Sequence, residues 1–370
     1  MKKSILIMFH CEQHTGFAIE KLESIFHKAA VKAKFIDKNI HWSYSHVTDD
    51  SNQIHELDYQ SKDISVDLSK ILIEKNIDII LAFDFLFRSK IVSIAKKHGV
   101  ENIVSYWGAS MSGINSGLKL GLKKIEYWLF QHSAADMYIF ESKAMQLTAT
   151  HGRGIHSKRT SVIPLGVNSD EYHPAAEKSY IHKQLNIPKE RKVVFYSGHM
   201  EERKGIRTIV KAARELARLE NIQNLHFVLC GNKGNEAATY LSELDGSIAI
   251  DHVTFAGYRS DVPALMRSSD IGVIASTGWD SFTRSSIEML ASGLPLIASD
   301  LGGLAETTKH NETGYLFTPG DFSILASHIV ALSTDQKLYR EMSLKSRVRA
   351  ITYFSETTQI QSISELLLKG

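Results

Sequence analysis

The chain has 370 residues, 43% of them hydrophobic and 23% charged, with 43 basic against 41 acidic side chains. At ~150 residues per domain this length implies two domains, and the composition is too apolar and too evenly charged for a disordered chain. A net charge of +2 offers nucleic acid no field, and two cysteines, Cys11 and Cys230, exclude a disulfide scaffold.

The N-terminal segment, residues 1–10, opens with Lys2 and Lys3 as a secretion signal would. Its apolar run of about five residues falls short of the ~7–15 such a signal needs. No run approaches the ~18–20 residues of a membrane-spanning helix, so a soluble, cytoplasmic protein is expected. Short β-branched runs then alternate with helical patterns: residues 5–9, 77–83, 103–106, 137–140 and 161–163 read as strands. None of the six prolines precedes Pro164, and Pro164, Pro174 and Pro188 mark residues 165–190 as an interdomain connection. The alternation resumes with strands at 193–196, 227–229, 253–255, 271–274 and 294–297. Continuous apolar strands belong to parallel sheets covered on both faces. Ile206, Ile209, Val210, Ala213, Leu216 and Ala217 repeat at helical period. The predicted fold class is α/β, two Rossmann-like, doubly wound parallel-sheet domains, with ligands expected in the cleft at the strands' carboxyl ends.

Residues 270–306 carry the densest chemistry. A buried strand ends near Ser276, a polar turn follows, and a helix opens near Phe282 and stops at Gly293, before Pro295. The helix start offers unpaired N–H groups and a positive dipole end suited to phosphate. Asp280 stands just before it and Glu288 two turns on, a spacing that grips two parts of one long ligand and is too wide for a shared-proton dyad. The competing reading, an N-cap and a solvated helix residue, fits an isolated pair of this spacing better.

The surroundings change that balance. Residues 162–168 (VIPLGVN), 197–206 (SGHMEERKGI), 255–263 (FAGYRSDVP), 301–306 (LGGLAE) and 311–316 (NETGYL) occur in an order and spacing that resemble the retaining glycosyltransferases of family 4, within glycosyl transferases group 1. The likeness covers about residues 160–335 and implies a GT-B fold: a first domain over 1–168, rejoined by residues 353–370, and a donor domain over 169–352. It implies that Glu288 holds the donor's ribose, that Asp280, Ser281, Phe282 and Thr283 hold the transferred sugar, and that Lys204 neutralises the diphosphate. His199 replaces the arginine expected beside that lysine, within a loop that also brings Gly198 to the donor. The base is expected against Tyr258 and Arg259, and Gly16 near the diphosphate. Asp280 is one methylene shorter than the usual Glu, Ser281 and Thr283 narrow the sugar pocket, and Trp107-Gly108 stands where many members carry a histidine. Arg284 either compensates for His199 or is a surface helix residue.

The implied function is a retaining transfer of sugar from a nucleotide-diphosphate sugar to a hydroxyl acceptor, whether glycan, lipid-linked or small-molecule, in cell-envelope or surface glycan synthesis. No metal or cofactor is expected. His10, Cys11, Glu12 and His14 crowd one strand end without closing ligands at zinc-site spacing, and Glu12 or His14 is a candidate for acceptor contact by position. The turn Gly231-Asn232-Lys233-Gly234-Asn235 lacks the G-K-S/T of a P-loop. Residues 118–130 are amphipathic and basic: either a domain helix packed on the sheet through Leu122, Ile125 and Leu129, or a peripheral membrane contact. A GT-B sugar-nucleotide 2-epimerase and a non-catalytic nucleotide-sugar-binding partner subunit are the alternatives.

Overall fold

The computed structural model describes residues 3–369, except Asp50, Leu86, Lys233 and Asn235. Met1 and Lys2 of the N-terminal segment, and Lys233 and Asn235 of the glycine-rich turn, thus lie outside the described residues. The chain forms two compact units, Met1–Pro164 with Glu356–Gly370, and Leu165–Ser355.

Unit 1 contains strands β1 (Ser4–Met8), β2 (Ile40–Tyr44), β3 (Ile54–Glu56), β4 (Ile77–Phe83), β5 (Asn102–Trp107), β6 (Met137–Phe140) and β7 (Thr160–Val162). They form a seven-stranded parallel sheet in the order β3-β2-β1-β4-β5-β6-β7. Helices α1 (Phe17–Lys32), α2 (Ile64–Glu74), α3 (Lys90–Lys97), α4 (Gly117–Phe130) and α5 (Lys143–Thr150) connect them. The sheet is apolar on both faces because both are covered. Leu6, Ile80, Ile103 and Tyr138 pack with α2, α3 and α5 residues on one side, and Ile5, Ile7, Ile79, Leu81 and Val104 with α1 on the other.

Unit 2 repeats the plan with β8 (Lys192–Ser197), β9 (Leu225–Cys230), β10 (Val253–Gly257), β11 (Ile271–Ile274), β12 (Leu296–Ser299) and β13 (Gly314–Phe317). The parallel order is β10-β9-β8-β11-β12-β13. Its helices are α6 (Ser179–Leu185), α7 (Ile206–Arg218), α8 (Ala238–Leu241), α9 (Val262–Arg267), α10 (Arg284–Ala291), α11 (Phe322–Thr334) and α12 (Gln336–Tyr353). The chain then returns to unit 1 as α13 (Glu356–Leu367), which buries Ile363, Leu366 and Leu367 beside α1. Asn102 Nδ2 donates to Leu366 O at 2.9 Å and Lys28 pairs with Glu356 at 2.6 Å.

Two expectations are corrected. Residues 165–190 are part of unit 2 and not a free connection: Leu165, Val167, Tyr172, Ile181 and Ile187 are buried in its core. Proline ends regular elements, but the apolar residues between these prolines still need cover. Leu122, Ile125 and Leu129 do not pack on the unit 1 sheet; they are 55–59% exposed, and Tyr127 is the buried residue of α4.

Candidate functional site

In a doubly wound sheet the crevice forms where strand order reverses, outside the carboxyl ends of the two strands that flank the reversal. In unit 2 those strands are β8 and β11. The loop after β8 is held from below: Tyr196 Oη donates to His199 O at 2.7 Å and Tyr240 Oη to Met200 O at 2.8 Å. The loop ends in a short turn, Glu202–Lys204, and Gly205 follows at φ 74°. A Cβ on Gly205 would lie 1.7 Å from Ala275 O, so only glycine lets this loop touch the end of β11. The amides of Thr277 and Gly278 then donate to Arg203 O at 2.8 and 3.1 Å, joining the two loops.

That junction brings Lys204 to Asp280. Lys204 Nζ lies 3.0 Å from Asp280 Oδ2, and the same oxygen accepts from Ser276 Oγ at 2.8 Å. The pair is largely out of solvent, with side-chain exposures of 15% and 6%. Such a carboxylate is stable only with its partners, because an isolated buried charge is costly. Burial, with the Asp280 charge nearby, holds the Tyr196 phenol well above its ordinary range. The carbonyl of Asp280 is fixed too: Gly303 N donates to it at 3.1 Å, and Gly302, at φ 51°, comes so near that a Cβ would sit 2.6 Å away.

The helix predicted near Phe282 is α10, with Thr283 as its N-cap residue. The Thr283 side chain makes no cap bond and its Oγ1 is a buried atom without a hydrogen-bond partner. Phe282 is 6% exposed and packs edge-on against Phe354 at 5.6 Å; Ser281 is half-buried. Glu288 is 7% exposed inside α10 and therefore not a solvated helix residue. Its carboxylate is bonded by the Tyr172 hydroxyl, which burial and then that charge hold well above the usual phenol range. Tyr172, from the segment read as a connection, is a site residue that sequence reasoning missed.

The other expected contacts of unit 2 follow β8 and β10 or lie at the start of α10. His199 is exposed and its Nδ1 lies 2.9 Å from Asn232 Oδ1; Gly198, half-buried, precedes it. Arg203 pairs with Glu201 at 2.7 Å and donates to Trp279 O. Arg284 is half-buried and donates to Gly166 O at 3.2 Å, so it is not a loose surface residue. Tyr258 is 59% exposed. Arg259 forms a two-bond fork with Asp261, at 2.8 and 2.6 Å, which pulls the Asp261 carboxyl below its usual range.

Unit 1 reverses strand order between β1 and β4. There His10 stacks on Phe83 at 5.7 Å, with Nδ1 3.2 Å from Phe83 O. Asp84, at φ 60°, accepts from Gly108 N at 3.0 Å, and burial raises its carboxyl to about 6. Trp107 is a core residue whose Nε1 donates to Phe85 O at 3.3 Å. Asp84 was missed as well, although a lone carboxylate ending an apolar strand was a readable signal. Gly16 caps α1, Glu12 is exposed, and His14 lies 3.6 Å from Asp49.

Residues 177–349 match the family model described as Glycosyl transferases group 1. N-acetyl-alpha-D-glucosaminyl L-malate synthase of Bacillus anthracis is 27% identical over 46% of this chain and 44% of its own length. An Escherichia coli UDP-Gal:alpha-D-GlcNAc-diphosphoundecaprenol alpha-1,3-galactosyltransferase is 24% identical over 57% and 54%. The chain thus spans about half the length of these curated relatives. Among solved structures, a glycosyltransferase of Rickettsia africae superposes with TM-score 0.80 at 18% identity over all of both chains. Anabaena HepE in complex with UDP and glucose gives 0.73 at 21% over 98% of both. The fold is GT-B, and the resemblance to group 1 glycosyltransferases is shown for unit 2.

Proposed function

We propose that this protein is a retaining glycosyltransferase that moves a sugar from a nucleotide-diphosphate sugar to a hydroxyl acceptor. The observation that carries the reading is the buried Lys204–Asp280 pair at the strand-order reversal of a group 1 glycosyltransferase domain. A cation there gains most when the bond from the anomeric carbon to the diphosphate oxygen breaks, because negative charge then grows on the leaving group. Asp280, oriented by Lys204 and Ser276, is suited to accept hydroxyls of the transferred sugar. The open end of α10, with the unpartnered Thr283 Oγ1, suits an anionic or hydroxyl group. Glu288 with Tyr172 suits a ribose diol, and His199, Gly198, Tyr258 and Arg259 would border the nucleotide.

The acceptor oxygen attacks the anomeric carbon on the face that the diphosphate leaves. Its proton passes to the departing phosphate oxygen, so charge and atoms balance without a metal. His10, Asp84 and Gly16 of unit 1 are candidates to orient the acceptor, and Glu12 and His14 stand in the same loop. The undecaprenol-linked acceptor in the name of one relative supports a cytoplasmic role in envelope or surface glycan synthesis.

The test is thermal stability against UDP, GDP, ADP, CMP and dTDP sugars with Glu288→Ala alongside. A ligand of the folded state adds about 2.7 kcal/mol at a hundredfold excess over Kd. One nucleotide class should raise the wild-type Tm and not that of the variant, and transfer should persist in chelator with retention at the anomeric carbon. Donor turnover without acceptor would favour an epimerase, and binding without turnover a partner subunit.

A further inference from the structure

Helix α4 has the reverse of an ordinary domain helix's polarity. Its buried residue is Tyr127, while Leu118, Leu122, Ile125, Trp128 and Leu129 are 83%, 59%, 56%, 67% and 55% exposed. At ~100° per residue Leu118, Leu122, Ile125 and Leu129 form one stripe, Trp128 borders it, and Tyr127 lies diametrically opposite. Ile114, in the preceding loop, is 60% exposed as well. Soluble domains seldom leave so continuous an apolar strip uncovered.

Charge on this helix is arranged around the strip. Exposed Lys119 flanks it on one side and exposed Lys124 on the other, at helical spacing, while half-buried Lys123 lies toward the Tyr127 side. Its one carboxylate, Glu126, is engaged by Lys123 at 2.7 Å and Arg88 at 3.2 Å. Gly154 packs on the Lys123 backbone, and the unit 1 segment around it, residues 142–164, holds Lys143, Arg153, Lys158 and Arg159 but no acid. A second copy of this helix would bring lysines against lysines, with no spare carboxylate on it to pair them. An anionic lipid surface satisfies both features, since acyl chains take the strip and headgroups the flanking ammonium groups.

We propose that α4 lies in the interface of an anionic membrane and anchors unit 1 there, with Leu118, Leu122, Ile125, Trp128 and Leu129 inserted and Lys119 and Lys124 against lipid phosphates. Fourteen residues span about 21 Å of helix, and among the described residues no helix is long and apolar enough to cross a membrane. The contact is therefore in-plane. This inference stands on unit 1 alone and does not depend on the donor chemistry of unit 2.

Vesicle sedimentation of the full chain tests it, using phosphatidylcholine with and without phosphatidylglycerol. Binding should require the anionic lipid and weaken with salt. Leu122→Ser with Leu129→Ser should abolish it, and Lys119→Gln with Lys124→Gln should weaken it by about fivefold per lysine. Both variants should keep the wild-type Tm, since every substituted side chain is exposed, and a blue shift of Trp128 emission on binding should vanish in Trp128→Phe. Equal binding to neutral vesicles, or none to anionic ones, would overturn the proposal. So would a concentration-dependent dimer that the Leu122/Leu129 variant dissolves in the absence of lipid.

Discussion

Gly205 offers the sharpest test of how the site is assembled. It sits at φ 74° between Lys204 and α7, and a Cβ there would lie 1.7 Å from Ala275 O and 2.5 Å from Ala275 C. Clearing the carbonyl to the 3.0 Å below which real Cβ contacts are essentially absent needs a shift of about 1.3 Å. A displacement of that size next to Lys204 would stretch its 3.0 Å contact with Asp280, by as much as about 1.3 Å if it ran along the pair. Holding alanine left-handed costs about 1–2 kcal/mol. Loosening a buried pair adds up to about 3–5 kcal/mol, the cost of losing one partner outright. For a unit of this size, Gly205→Ala should therefore lower Tm by about 10–20 °C. Gly246→Ala is the control: Gly246 has φ 70° and nothing within 4 Å of where a Cβ would stand, so only the conformational cost applies. Thermal unfolding followed by circular dichroism reads both. Equal Tm losses to within about 2 °C would refute the argument that close approach at Ala275 builds the site.

The remaining predictions address single groups. In a double-mutant cycle, Lys204→Met should cost about 3–5 kcal/mol by stranding the Asp280 carboxylate, and Lys204→Met with Asp280→Asn should recover at least about 2 kcal/mol; additive losses would mean the two side chains are not coupled. Tyr172→Phe removes the hydroxyl that Glu288 accepts from, so titration with the recognised nucleotide should show about 3–10-fold weaker binding, with Glu288→Ala weaker still; an unchanged Kd in both would take Glu288 out of the donor site. Asp84 is raised from 3.8 to about 6, chiefly by burial, which corresponds to about 3 kcal/mol. The native state holds this proton more tightly, so its contribution is full below about pH 4 and is lost as pH rises through about 6. Asp84→Asn should flatten that fall and be the more stable protein at pH 8, measured as Tm against pH; an unchanged slope between pH 4 and 7 would contradict the burial.

The amino-acid sequence alone determined the alternation of strands and helices, because short, largely apolar β-branched runs such as Ile77–Phe83 and Ile271–Ile274, set between helical patterns, read as parallel strands covered on both faces. It also located the turn and helix around Asp280 and Glu288, since a polar turn after such a strand needs no distant partner to be read. Strands β2 and β3 were not read from it: Ile40–Tyr44 interrupts its apolar residues with His41 and Ser43, and Ile54–Glu56 is three residues long. Periodicity reported that α4 is amphipathic, yet Tyr127, and not the leucines, faces the sheet, because a repeat carries no record of which side finds a partner. Tyr172 meeting Glu288, and Lys204 meeting Asp280 across 76 residues, were likewise decided only by the tertiary structure. Strand order sets β8 beside β11, and one glycine lets their loops touch; both are properties of packing, which a linear pattern does not encode.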